Sequence, residues 1–205
     1  MNEQQEHYFT SSEPATEAER RSIRLRLADR TVDVETAPGT FSPDGLDKGT
    51  AVLLAEAPPP PAAGTFLDLG CGWGPIATTL ALRSPAARVW AVDVNARALS
   101  LVERNAELLS ISNIVAASPE LVPDDVRFDA IWSNPPIRIG KPQLHALLET
   151  WLPRLAPGAT AWLVVQKHLG ADSLLTWLAE HFEGFDVERA DSKKTYRIIA
   201  VTAPD

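Results

Sequence analysis

From residue 65 onward the chain alternates short apolar runs with amphipathic segments, and this alternation limits the folds open to it. Apolar runs with the length of buried strands are TFLDLG, RVWAVDV, NIVAAS, FDAIWSN and ATAWLVVQ. Helical segments lie between them or follow them, and such alternation predicts a parallel sheet covered by helices on both faces. The last two strand segments, FDVERA and TYRIIAVTA, are too close together for a crossover helix. They predict an antiparallel hairpin at the edge of the sheet.

The first 64 residues follow a different pattern. SIRLRLA and RTVDVETA alternate apolar and polar residues with period two, which predicts a hairpin of half-buried strands. Its apolar positions are Ile23, Leu25 and Leu27 on one face and Val32 and Val34 on another. LDKGTAVLLAEA predicts a short helix, and APPPPAAG predicts a stiff, extended linker. We therefore expect an arm, hairpin and helix over 1–56, a linker over 57–64 and the main domain over 65–205.

The composition excludes several classes of protein. With 205 residues, 45% of them hydrophobic, the chain can form one domain with a real core and a small appendage. A net charge of −8 argues against a protein that coats nucleic acid through bulk charge. The polar N-terminus resembles no signal peptide, no apolar run reaches the roughly 20 residues of a membrane span, and a single cysteine allows no internal disulfide. We expect a cytoplasmic protein without membrane contact.

A glycine-rich segment, DLGCGWG at residues 68–74, directly follows the first predicted parallel strand. Gly70 and Gly72 allow the backbone to turn tightly and to approach a ligand without a Cβ clash. In an open parallel sheet, ligands bind beyond the carboxyl ends of the strands. The next strand ends at Asp93, about twenty residues on, where a carboxylate can accept both ribose hydroxyls. The two features together predict a nucleoside site.

The identity of the cofactor follows from what the loop lacks. A dinucleotide fingerprint would need a glycine at Pro75 or Ala77, and the loop has no G-K-[ST] of a phosphate-binding P-loop. Asp68 would repel a phosphate, but it can bind an ammonium group directly or through water. S-adenosylmethionine combines an adenosine head with a cationic amino-acid tail and fits these groups. The alternative interpretation is a glycine turn that serves packing alone.

The segment SNPPIRIGK, at residues 133–141, ends the apolar run FDAIW. Proline offers no N–H to a β-ladder, and a residue that precedes proline is pushed toward extended conformations. The segment is therefore a stiff corner that holds the Asn134 side chain and nearby backbone carbonyls in fixed directions. It is either a simple strand-ending turn or a rigid hydrogen-bonding clamp for a substrate.

In this order and on these strands, DLGCGWG, AVDVN and SNPPI resemble the class I S-adenosylmethionine-dependent methyltransferases. More narrowly, the chain resembles the methyltransferase small domain family, which includes bacterial ribosomal-RNA guanine-N2 methyltransferases of the small subunit. HYFTSSEP, FSPDGLDKGTAVLL, SNPPIRIGK and TYRIIAV extend the likeness over nearly the whole chain. The resemblance implies an α/β fold with a Rossmann-like sheet of seven strands, mostly parallel with an antiparallel C-terminal hairpin, plus a small N-terminal extension.

The resemblance also implies roles for individual residues. In the corner, the side-chain oxygen of Asn134 and the backbone carbonyl of Pro135 would accept hydrogen bonds from an exocyclic amine, and the prolines would fix the clamp. Pro136 is the second proline, and Ile137 stands where relatives often have a base-stacking aromatic residue. The expected cofactor contacts are Asp68, Gly70, Cys71, Gly72, Asp93, Val94, Ser118 and Asn134.

On the acceptor side, Phe41 or Tyr8 is expected to offer an aromatic face, with core packing as the alternative for Phe41. Arg138, Lys141 and Lys167 are expected to form a local phosphate-binding rim. Ordinary solvated surface is the alternative for these cations. The expected partner is ribosomal RNA or the small ribosomal subunit, with guanine N2 as the methyl acceptor. A protein glutamine, another RNA, a small amine, or an inert S-adenosylmethionine-binding module are the open alternatives. The histidines show no metal-ligand spacing, so no metal is expected, and we expect a monomer.

Overall fold

The structure, a computed structural model, describes residues 13–205. Its strands are β1 (Arg21–Leu27), β2 (Arg30–Thr36), β3 (Ala63–Leu69), β4 (Ala86–Val92), β5 (Ile114–Ala117), β6 (Phe128–Ser133), β7 (Leu155–Gln166), β8 (Asp186–Lys193) and β9 (Tyr196–Thr202). Its α-helices are α1 (Lys48–Glu56), α2 (Pro75–Arg83), α3 (Ala96–Leu108), α4 (Lys141–Trp151) and α5 (Ala171–His181). The predicted HYFTSSEP motif lies almost entirely outside the described residues.

Seven strands form the central sheet, in the order β5-β4-β3-β6-β7-β9-β8. The first five strands in this order pair in parallel, and β9 is antiparallel to both β7 and β8. Only Lys194 and Thr195 connect β8 to β9, which leaves no room for a crossover helix. The predicted fold, a mostly parallel sheet with an antiparallel C-terminal hairpin, is therefore confirmed.

Each face of the sheet is covered by its own hydrophobic core. Successive strand residues point to opposite faces, so that Phe66 packs into one core and Leu67 into the other. Helices α1, α2 and α3 contribute to the first core, and α4 and α5 contribute to the second. Because helices cover both faces of the sheet, the position open to a ligand lies beyond the carboxyl ends of the parallel strands.

The N-terminal hairpin β1–β2 packs into the first of these cores. Ile23 lies opposite Val34, and Leu25 lies opposite Val32, so the two apolar sets share one face of the hairpin. The prediction of two different faces is wrong, because residues directly opposite in an antiparallel pair point to the same side. The Asn105 side chain of α3 accepts from the backbone N–H of Glu35 and donates to its carbonyl.

The connection between α1 and the sheet is shorter than expected. Strand β3 begins at Ala63, inside the predicted linker of residues 57–64, so the extended prolines lead straight into the ladder. Within residues 13–205, none of the helices has the length and apolar character that a membrane span requires.

Candidate active site

The candidate site lies where β3 and β6 end side by side. The chain runs from β3 outward through β4 to β5, and then returns to the other side of β3 as β6. This change of direction is a topological switch point, the usual ligand position in an open α/β sheet. The Ser133 hydroxyl donates to the Leu69 carbonyl at 2.7 Å and ties the two strand ends together. Gly70 follows one strand end and Asn134 follows the other.

The glycine loop turns away from β3 with left-handed backbone angles. Gly70 and Gly72 have φ values of +74° and +54°, which side chains rarely adopt. The backbone N–H groups of Gly70 and Cys71 both donate to the carbonyl of Val92, so the loop is anchored to the neighbouring strand β4. A Cβ atom at Gly72 would lie 3.7 Å from the Cβ of Phe41, so the loop borders the segment that precedes α1.

The predicted ribose-binding acid stands beside this loop. The Asp93 carboxylate accepts from the backbone N–H of Gly72 at 2.9 Å and from that of Asn95 at 3.0 Å. Burial raises the pKa of Asp93, although both N–H donors oppose this shift. Val94 is 63% exposed next to it and offers a bare apolar surface of the kind that a nucleoside ring can cover. Both residues thus lie close to the glycine loop, and their contact with a cofactor stays a prediction.

Asp68 is fully buried at the end of β3. One carboxylate oxygen accepts from the backbone N–H of Ala77 at 2.8 Å, in the first turn of α2. The other oxygen has no hydrogen-bond partner among the described residues. Burial raises the pKa of Asp68 to about 8, the N–H of Ala77 lowers it, and the charge of Asp93 raises it further. The unpaired oxygen suits a cationic or hydrogen-bond-donating cofactor group, which is the chemistry of the S-adenosylmethionine tail.

Two other predicted cofactor contacts are already engaged within the protein. Cys71 is buried, and burial raises the pKa of its thiol well above the ordinary value, so the side chain serves as a small packing residue. The Ser118 hydroxyl donates to the Glu120 carboxylate at 2.6 Å. Ser118 and Glu120 therefore form one polar pair after β5, at the same end of the sheet.

The Asn134 side chain is held by two acceptors from α1 and its cap. Its amide nitrogen donates to Asp47 Oδ2 at 2.9 Å and to Thr50 Oγ1 at 3.0 Å. Because a carboxylate can only accept, the amide nitrogen must face Asp47, and the amide oxygen must face the other way. Asp47 and Thr50 were not among the site residues predicted from the sequence. The available signal was an aspartate immediately before a helical run, which indicates an N-cap.

The two prolines form a tight reversal after Asn134. The backbone N–H of Ile137 donates to the Pro135 carbonyl at 2.8 Å, around Pro136 at φ −74° and ψ 72°. This is an inverse γ-turn, which uses one lone pair of the carbonyl expected to bind the substrate and leaves the second. Ile137 packs against the second hydrophobic core, so its side chain serves the fold at least in part.

The acceptor side of the cleft carries one exposed aromatic residue. Phe41 is 50% exposed and lines the cleft together with Asp47, Thr50, Gly72 and Asn134. The carbonyl of Ser42, the next residue, accepts from the Trp73 indole N–H at 3.2 Å, which ties the Phe41 segment to the glycine loop. The predicted Tyr8 alternative lies outside the described residues.

The predicted cationic rim is only partly free. Arg138 and Lys167 are exposed, and neither has a side-chain partner within residues 13–205. The Lys141 ammonium donates to the Ser173 hydroxyl at 3.2 Å. Four arginines in β1 or directly before it are paired with acidic neighbours, in the pairs Arg20–Glu35, Arg21–Asp44, Arg24–Asp33 and Arg26–Asp29.

The part of the chain that the structure describes holds no group of three or more histidine, cysteine or acidic side chains able to bind a metal ion.

The strand order and the switch-point site are those of the class I methyltransferases, enzymes that take a methyl group from S-adenosylmethionine. The chain belongs to the methyltransferase small domain family, whose sequence profile matches residues 31–200. The resemblance found in the sequence is confirmed.

Relatives and solved structures agree with this assignment. An uncharacterised protein of Bacillus subtilis, YbxB, is 34% identical over 95% of this chain and 96% of its own length. The ribosomal RNA small subunit methyltransferase C of Aeromonas hydrophila is 36% identical over 78% of this chain, which spans only 43% of that relative.

Among solved structures, the T. thermophilus 16S rRNA N2 G1207 methyltransferase in complex with AdoMet and guanosine shares the fold. Its TM-score is 0.76 at 23% identity, over 93% of this chain and 52% of that one. A ribosomal protein L11 methylase from Lactobacillus delbrueckii subsp. bulgaricus has a TM-score of 0.63 at 22% identity. The match covers 83% of this chain and 84% of that one.

Proposed function

We propose that this enzyme methylates the exocyclic N2 amine of a guanine in small-subunit ribosomal RNA. The observation that carries the proposal is the orientation of Asn134, whose amide oxygen is turned away from Asp47 and Thr50. An oxygen held at the switch point, beside the glycine loop, is an acceptor for the hydrogens of a planar amine.

The chemistry requires the protein to activate a poor nucleophile. S-adenosylmethionine supplies an electrophilic methyl group when it is bound. The lone pair of an exocyclic amine is delocalised into the ring, so the amine must be positioned and its developing positive charge must be stabilised. The Asn134 oxygen and the second lone pair of the Pro135 carbonyl can accept the two amine hydrogens. Neither acceptor carries a full charge, and the proline turn fixes both directions.

The choice of RNA rests on the relatives and on the rim of the cleft. Curated relatives are named as ribosomal RNA methyltransferases, and one neighbour was solved with guanosine. Arg138 directly follows the corner, and Lys167 follows the adjacent strand β7, so both cations stand at the strand ends where phosphates would pass. We include in the proposal a cytoplasmic location and a role in holding the acceptor for Phe41, which lines the cleft.

A protein glutamine is the second candidate acceptor. Its side-chain amide presents the same planar NH2 group, and the Asn134 clamp suits it equally well. Ile137, packed against the core, gives no aromatic platform for a base at that position, which favours this candidate. If the acceptor is RNA, the exposed ring of Phe41 can stack on the base instead of a side chain at position 137.

The deciding experiment offers purified protein and labelled S-adenosylmethionine to three acceptors from cells that lack the gene. These acceptors are ribosomal RNA, assembled small subunits and total protein. We expect label in RNA or subunits, and nuclease mapping then identifies the base. Label in protein alone transfers the assignment to glutamine. Cofactor binding without label in any fraction favours an inert binding module and contradicts the proposal.

Asn134→Ala is the control variant for this assay. Losing one preorganised hydrogen-bond partner raises a reaction barrier by on the order of 3 kcal/mol, so kcat should fall by a factor of roughly 100. S-adenosylmethionine affinity, measured by calorimetry, should change much less. An undiminished kcat would show that Asn134 does not hold the acceptor.

A further inference from the structure

We propose that Asp47 and Thr50 are positioning residues that lock the Asn134 amide with its oxygen toward the methyl acceptor. The locked amide makes the clamp selective for acceptors that present a hydrogen-bond donor. The inference rests on the proposed role of Asn134, and it assigns a function to the DKGT segment, for which the sequence predicted only the start of a helix and a family resemblance.

The geometry satisfies both donor positions of the amide. A primary amide nitrogen has two N–H groups, and the two acceptors lie at 2.9 and 3.0 Å from it. Thr50 is buried with 3% of its surface exposed, and Asn134 is half-buried, so water competes poorly for these bonds. With both N–H groups used, Asn134 has only an acceptor left for the cleft.

The same carboxylate oxygen also holds the start of α1. Asp47 Oδ2 accepts from the backbone N–H of Gly49 at 2.7 Å and of Thr50 at 3.1 Å. The helix end therefore fixes the carboxylate, and the carboxylate fixes Asn134, which lies 87 residues later in the chain. A negatively charged acceptor on the nitrogen side also polarises the amide and places more negative charge on its oxygen. Both effects strengthen the clamp for an amine.

An amide free to rotate would lose this selectivity. Its two orientations present either an oxygen or an NH2 group, and the second orientation repels the hydrogens of an amine acceptor. Asp47 and Thr50 bind the amide nitrogen and so remove that orientation. The amide oxygen is then preorganised to accept a hydrogen bond.

Three variants separate positioning from helix capping. Asp47→Ser keeps an efficient N-cap, but its short side chain withdraws the acceptor from Asn134. Thr50→Val keeps the shape of the side chain and removes its oxygen, and Thr50→Ser restores the oxygen. Thr160→Val is the matched control: it removes a similar hydroxyl, bonded to Thr202 at 2.9 Å, near the middle of β7 rather than at its carboxyl end.

The first measurement needs no methyl acceptor. In a ¹⁵N-labelled sample, the side-chain NH2 signals of Asn134 are assigned by their loss in Asn134→Ala. We expect Thr50→Val to shift one amide proton upfield and Asp47→Ser to speed solvent exchange of the other, while Thr160→Val changes neither. Unchanged signals in both Asp47→Ser and Thr50→Val would overturn the inference. This result is independent of which substrate is methylated.

The second measurement is kinetic and uses whichever acceptor the labelling assay identifies. A slightly misplaced group costs up to about 100-fold in rate, so we expect a roughly 10-fold fall in kcat for Thr50→Val and more for Asp47→Ser. Thr50→Ser should recover most of the loss. Because Thr50 acts through Asn134, adding Thr50→Val to Asn134→Ala should change kcat by less than about twofold. Losses that multiply in the double variant would mean that Thr50 acts independently of Asn134, and would contradict the positioning role.

Discussion

At the residue scale, the orientation of Asn134 depends on partners that are remote in the sequence. Asn134 could be identified from local chemistry, because the two prolines that follow it cannot donate to a β-ladder and are unusual directly after a buried strand. The same chemistry could not show which end of the amide faces the cleft. That depends on Asp47, and a helix cap gives no sign of a second partner.

Asp68 is a second residue whose chemistry follows from its surroundings. Its buried carboxyl accepts from the backbone N–H of Ala77 in the first turn of α2. The N-cap residue of this helix, Gly74, has no side chain that could accept this bond. The position before the glycine loop suggested a contact with an ammonium group. The burial that leaves one oxygen unpaired could be found only in the folded chain.

We predict that Asp68 makes the cofactor-free protein less stable as the pH rises. Between the ordinary aspartate pKa of 3.8 and the raised pKa of about 8, the folded state holds a proton that the unfolded chain has released. Stability therefore falls with rising pH across this window, by up to about 1.4 kcal/mol per pH unit. Asp68→Asn keeps an acceptor for Ala77 and removes the titration. Urea unfolding between pH 5 and pH 8 should give a flatter curve for this variant.

A matched control for that experiment is Asp186→Asn, which removes an exposed carboxylate at the start of β8. Its slope should follow that of the unsubstituted protein. Parallel curves for Asp68→Asn and the unsubstituted protein would mean that Asp68 is ionised in the folded state at neutral pH.

At the element scale, the start of α1 combines three roles in four residues. Asp47 caps the helix, Thr50 holds Asn134, and Gly49 lies against the Tyr196 ring at the start of β9. A Cβ atom at Gly49 would lie 3.0 Å from both Tyr196 Cε1 and Asp47 Oδ2. Burial first, and the Asp47 charge second, raise the pKa of Tyr196, which agrees with a close and enclosed contact.

We predict that Gly49→Ala destabilises the protein although Gly49 is in a helix. In an open helix this change would stabilise by up to about 1 kcal/mol. Here the added methyl group must displace the Tyr196 ring or the Asp47 carboxylate, and overpacking costs about 1–3 kcal/mol. Chemical denaturation should show a net loss of stability. Ala55→Gly, at an exposed position of the same helix, should show the ordinary propensity cost; a gain for Gly49→Ala would contradict the contact.

At the scale of the whole molecule, charge is distributed unevenly around an acidic protein. The three arginines of β1 are paired with acidic residues, and so contribute little local positive potential. Arg138 and Lys167 stand at the carboxyl ends of the parallel strands without such pairs in the described residues. A local rim of this kind can bind phosphates despite a net charge of −8.

We predict that Arg138→Glu together with Lys167→Glu weakens RNA binding and lowers its salt dependence. Each lost phosphate contact reduces the slope of log K against log salt by about 0.7 to 0.9. Filter binding of ribosomal RNA at several salt concentrations measures this slope. Arg127→Glu is the control, because Arg127 lies at the opposite, amino end of β6. Equal slopes in the double variant and the control would place the RNA elsewhere.

The fold class, the glycine loop with Asp93 and the position of Asn134 could all be predicted from the sequence. These features depend on local periodicity and on the backbone preferences of glycine and proline, which neighbouring residues encode directly. The partners of Asn134, the γ-turn at the Pro135 carbonyl, the common face of the hairpin and the cations without partners in residues 13–205 became visible only in the folded chain. Those features depend on packing and hydrogen bonding between segments up to 87 residues apart, whose relative positions exist only once the sheet has formed.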